Sequence, residues 1–88
     1  MKIRRSHQLG IKEARSRANQ IAGHLERQYS LTSTWHGDYL VVNGNGVNGQ
    51  LVVAEESIEL EVKLGFALKL MEGPIRSAIE NTIDEHLA

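Results

Sequence analysis

The chain has 88 residues, 41% of them hydrophobic and 24% charged, with a net charge of −1 and no cysteine. Such a composition fits one small soluble domain over residues 1–88 with a modest core, and it excludes disulfide staples, thiolate zinc sites and cysteine nucleophiles. No apolar run approaches the ~20 residues of a transmembrane segment, and "MKIRRSHQLG" lacks the apolar stretch of a signal peptide, so a cytoplasmic, bacterial-type protein is expected.

Residues 2–6 (KIRRS) alternate weakly and read as an edge strand. Residues 11–27 place Ile11, Ala14, Ala18, Ile21 and Leu25 at 3-4-3-4 spacing, the apolar stripe of a helix. Gly10 suits the N-cap, Glu13 follows at N3, and Leu9 is placed to staple onto Ala14. Glu13 and Arg17, one turn apart, can pair on the flank. Gly23 faces solvent and costs about 1 kcal/mol relative to alanine.

From Tyr29 onward the period falls to two. Leu31, Ser33 and Trp35 alternate with Thr32, Thr34 and His36, and His36-Gly37-Asp38 signals a turn. Residues 39–42 (YLVV) and 47–54 (VNGQLVVA) read as further strands. Between Ile58 and Leu64 the alternation is cleanest. Ile58, Leu60, Val62 and Leu64 point one way, Glu59, Glu61 and Lys63 the other, as in a sheet with one buried face. Gly65 ends that strand, and "FALKLM" at 66–71 suggests a short helical turn. Gly73-Pro74 then offers an N-cap and a first-turn proline for a helix over 74–87, whereas a start at Phe66 would place a kink at Pro74. The sequence is compatible with both starts. The order β-α-β-β-β-β-α predicts an α+β, two-layer domain: an antiparallel sheet of four or five strands with both helices packed on one face.

Within "NGNGVNG" at 43–49, Gly44-x-Gly46-x-x-Gly49 matches the spacing of a dinucleotide-binding loop. That loop must follow a strand and open a helix, but here the next residues read as strand. Asn-Gly pairs between alternating segments instead signal a hairpin, because both residues tolerate positive φ. Gly49, inside the following strand, implies a bulge or a close neighbour. His7, His24, His36 and His86 share no metal-ligand spacing, and no serine sits in a nucleophile elbow, so neither metal, cofactor nor catalytic group is expected.

Charge is split along the chain. Residues 1–27 carry seven basic and two acidic side chains (+5), and residues 28–88 carry three basic and nine acidic ones (−6). The split can steer association with an anionic surface or a second copy; the default is that the two halves face each other within the fold. With no helix-turn-helix and only 5% aromatic residues, nucleic acid is not an expected partner.

"HQLG" at 7–10, the frame of Ala18, Ile21, Ala22, Leu25, Tyr29 and Leu31, and "WHGDYL" at 35–40 together form a recognisable series. With "GVNGQL" at 46–51, "LEVKLGFAL" at 60–68 and the spaced isoleucines of the last helix, the chain resembles the polyhydroxyalkanoic acid system proteins, a bacterial granule-region family. His7, Gly10, Trp35, Gly37, Asp38, Gly46, Gly49, Gly65 and Phe66 match its pattern.

The resemblance implies association with storage-polyester synthesis or granules and carries over no catalytic residue. The expectation is a non-enzymatic accessory protein that binds the polyhydroxyalkanoate granule surface or granule-coat and synthesis proteins, with a homodimer as an open option. His7, Arg17, Trp35, Asp38 and Phe66 are the candidate contact residues. The alternative is a small ligand-binding domain enclosing an apolar molecule, such as an acyl chain, between helix and sheet, with Trp35 and Phe66 as walls. It calls for a cavity of about 300 Å³ or more.

Overall fold

In the computed structural model, which describes residues 1–87, the period-two segments form β1 (Lys2–Ser6), β2 (Thr32–His36), β3 (Tyr39–Gly44), β4 (Val47–Val53) and β5 (Ser57–Leu64). The helical segments form α1 (Gly10–Tyr29), α2 (Phe66–Lys69) and α3 (Glu72–Leu87). All strands join one antiparallel sheet in the order β1-β5-β4-β3-β2. β2 to β5 run as a meander, while β1 pairs with β5, setting Ile3 opposite Leu60 and Arg5 opposite Ile58. α1 makes the crossover between the two edges. The predicted α+β order is therefore found, with α2 inserted before the last helix.

Both hairpin tips follow from local chemistry. Gly37 has φ +63 and Asp38 has no positive φ, the sign pattern of a type II′ turn with glycine first. Asn45 and Gly46 have φ +49 and +81, as a type I′ turn requires. Gly44, Gly46 and Gly49 thus belong to a hairpin, not to a phosphate loop.

Three element boundaries differ from the sequence reading. Leu9, not Gly10, is the N-cap residue of α1 and makes no side-chain cap bond, while Gly10 takes φ +76, open to glycine at little cost. At the other end α1 continues to Tyr29, and Ser30 turns left-handed so that the Leu31 N–H bonds to the Glu26 carbonyl at 3.1 Å. Tyr29 is therefore helical, because the αL residue that stops the helix comes after it. α3 begins at Glu72, ahead of Pro74; in a first turn the N–H that proline lacks has no helical partner to lose.

One sheet face holds the core. Ile3, Leu40, Leu51, Ile58 and Leu60 are each 1–2% exposed beneath the helices. α1 presents Ala14 and Ala18, four apart and fully buried, so its N-terminal half can lie close to what it covers. There Arg17 donates from its guanidinium to the His86 carbonyl at 2.6 Å, satisfying the C-terminus of α3 with a cation. The helices run antiparallel, so the C-terminal half of α1 faces the N-terminal half of α3. Towards its end on that side α1 carries the larger Leu25 and Tyr29.

The basic N-terminus and the acidic remainder meet inside the fold. Arg5 of β1 bonds Asp84 at 2.8 Å and Glu80 at 3.0 Å, both on α3. Those bonds, to Asp84 first and then Glu80, raise its pKa above the ordinary arginine value. Lys2 lies 3.6 Å from Glu59. Arg17 pairs with Glu13 at 3.0 Å, as their spacing predicts.

Candidate functional site

The feature with the least structural explanation is the α2 corner. Gly65 donates its N–H to the Gly46 carbonyl at 2.6 Å, and a Cβ on Gly65 would lie 3.3 Å from that oxygen. A Cβ on Gly46 would lie 3.5 Å from Leu68 Cδ1. The two glycines thus let the end of β5 and the β3–β4 turn approach closely, and that contact holds α2 against the sheet end.

α2 is too short to bury all its apolar residues. Leu70 keeps helical backbone angles, so Phe66 and Leu70 stand one turn apart on a common face. That face points outward: Phe66 is 91% exposed and Leu70 93%. Leu68 turns inward and packs against the core, and Met71 is 54% exposed.

Beneath this segment lies a cavity of about 190 Å³ to which no polar atom is exposed. α1 contributes Leu25 and Tyr29, the sheet contributes Leu60 and Val62, and α3 contributes Ile75 and Ile79. Leu68 and Met71 form its roof. It sits where α1 and α3 face each other without the alanines that close the opposite end. Burial there pushes the Tyr29 phenol up from its ordinary value of 10.0.

The candidate contact residues are distributed over both ends of the sheet. His7 is buried; its Nδ1 accepts the Leu9 N–H at 3.1 Å, which leaves Nε2–H to donate to the Ala54 carbonyl at 3.1 Å. It therefore ties β1 to the β4–β5 turn and to the start of α1. Arg17 caps α3. Trp35 is half-buried, donates from Nε1 to Asn19 Oδ1 at 2.8 Å, and lies under the Arg15 guanidinium at 4.1 Å. Asp38 is exposed at the β2–β3 tip, where its carbonyl accepts the Val53 N–H at 3.3 Å. Among the described residues none of these side chains hydrogen bonds another of the set. Phe66 stands apart at the opposite end, and neither it nor Trp35 lines the cavity.

Leu70, Met71 and Tyr29 are not among the contact residues expected from the sequence. The available signal was "FALKLM" itself: its apolar residues point in more directions than one short helix can bury. Among the described residues no three His, Asp or Glu side chains converge as a metal site, and no helix is long and apolar enough to cross a membrane.

A family model for polyhydroxyalkanoic acid system proteins matches residues 1–87. The chain belongs to that family. No curated protein and no solved structure matches it. Membership links the chain to the polyhydroxyalkanoic acid system. The contacts of Gly46 with Gly65 and Leu68 bring together "GVNGQL" and "LEVKLGFAL", two of the stretches that carry the resemblance.

Proposed function

We propose that this polyhydroxyalkanoic acid system protein is a non-enzymatic, cytoplasmic accessory protein that attaches to the storage-polyester granule surface through the α2 corner. The observation that carries the reading is the exposure of Phe66 and Leu70, both above 90%, on one face of a single turn. Paired exposed apolar side chains at a corner favour association with an apolar surface. Burying one such side chain contributes about 1.5–3 kcal/mol, so the pair offers about 3–6 kcal/mol before the cost of association. Attachment of one copy is therefore weak and reversible.

Co-sedimentation with protein-free polyhydroxyalkanoate beads tests this. The wild-type chain should pellet with the beads. A Phe66→Ser/Leu70→Ser double variant should stay in the supernatant with an unchanged Tm, since both side chains already stand in solvent. Pelleting only with native, protein-coated granules would replace the polymer surface by a coat protein as partner. Failure to pellet with either would sink the reading.

A further inference from the structure

The exposed corner does not account for the cavity beneath it. We infer that this cavity binds the end of a short aliphatic chain of about six to eight carbons, with the polar head of the ligand held outside beside Met71. Three observations converge on that ligand class.

The lining presents no polar atom, so a carboxylate, amine or hydroxyl drawn inside would lose its water without gaining a partner. Its volume, about 190 Å³, fixes the size. A dry protein cavity of about 150 Å³ lined by apolar residues takes up benzene, so a six- to eight-carbon chain is the matching length. Pockets for drug-sized ligands start near ~300 Å³, and a long acyl chain does not fit. The sequence-based alternative of an enclosed apolar molecule thus contracts to a chain end.

The third observation is the entrance. Met71 is the most exposed of the lining residues, and its unbranched thioether side chain adapts readily to a ligand. The roof it belongs to is fixed at one end by the Gly65–Gly46 hydrogen bond. At the other end Met71 is tied to the first turn of α3, the Ile75 N–H donating to its carbonyl at 3.0 Å. With the backbone held at both ends, it is the exposed Met71 side chain that moves to admit the ligand.

The inference stands independently of granule attachment and is read differently. The full chain, labelled with ¹³C at Ile, Leu and Val methyls, is titrated with butanoate, hexanoate, octanoate and dodecanoate below their micelle concentrations. Methyl shifts should saturate at Leu60, Val62 and Ile79. Affinity should rise about fourfold for each added methylene as far as octanoate, then level off. Ile75→Phe, at a half-buried lining position, should weaken octanoate binding at least tenfold, and Val47→Phe should do the same from the sheet side. Phe66→Ser/Leu70→Ser should bind within twofold of wild type. Unmoved core methyls, or affinity that climbs on through dodecanoate, would overturn the inference, as would full binding by folded filler variants. The length series on the wild-type chain decides the matter even if both fillers fail to fold.

Discussion

Gly49 lies on the core face of β4, between Val42 of β3 and Val62 of β5. A Cβ there would meet the Glu61 carbonyl oxygen at 2.9 Å and a methyl of each valine at 3.2 and 3.3 Å. The oxygen is backbone and cannot step aside without moving β5. The sequence left a bulge and a close neighbour as alternatives; the close neighbour is what the fold provides. Gly23 is the contrasting case, because a Cβ added there would meet only the end of the flexible Arg27 side chain, at 3.4 Å. Gly49→Ala should destabilise by about 1–3 kcal/mol through overpacking. Gly23→Ala should stabilise by about 1 kcal/mol through helix propensity, raising Tm by about 4–8 °C. Urea denaturation of both variants checks the pair, and equal effects would show that the two glycines are not distinguished by their surroundings.

At the scale of elements, α1 and the strands were legible because each repeats its apolar positions often enough for a period to show. β5 is the clearest instance, with Ile58, Leu60, Val62 and Leu64 all buried as the alternation requires. α2 has four residues and no period to read. Its outward face depends on a tertiary fact, the approach of Gly65 to Gly46, which local pattern does not encode. The cavity was illegible for a related reason: it arises from the separation of two helix ends, and Leu25, Tyr29, Ile75 and Ile79 look in sequence like ordinary core residues. The end of α1 does carry a measurable signature of that environment. Burial raises the Tyr29 pKa, so the unfolded chain loses the phenol proton before the folded chain does. The associated stability is fully present below the unfolded value near 10 and is lost as pH rises through the higher folded value. Denaturation between pH 8 and pH 11 should therefore show a smaller alkaline loss in Tyr29→Phe than in wild type. Parallel curves would mean that the hydroxyl is not desolvated by the helix end.

For the whole molecule, the uneven distribution of charge along the chain is partly paired within the fold, through Lys2 with Glu59 and Arg5 with Glu80 and Asp84. The strand and helix that meet at Arg5 come from opposite ends of the sequence, so the basic start and acidic finish neutralise each other across the β1–α3 contact. The plainer of the two readings the sequence allowed thus holds for Lys2 and Arg5, which the return of β1 to the edge beside β5 brings to their partners. Each ion pair is partly exposed and contributes no more than about 1 kcal/mol. Their value lies in position, since β1 is an edge strand held on one side only by β5. Arg5→Ala should cost about 1 kcal/mol, and Arg5→Glu more, because it sets three carboxylates together. Glu80→Arg placed in the Arg5→Glu background should recover over half of that loss, and raising the salt to 1 M should shrink both the loss and the recovery. A thermodynamic cycle on these variants by thermal unfolding gives the coupling directly. Should the cycle show none, the N-terminal cations would not be holding α3 and would be free to meet a partner, which would move the search for an interface from the α2 corner to β1.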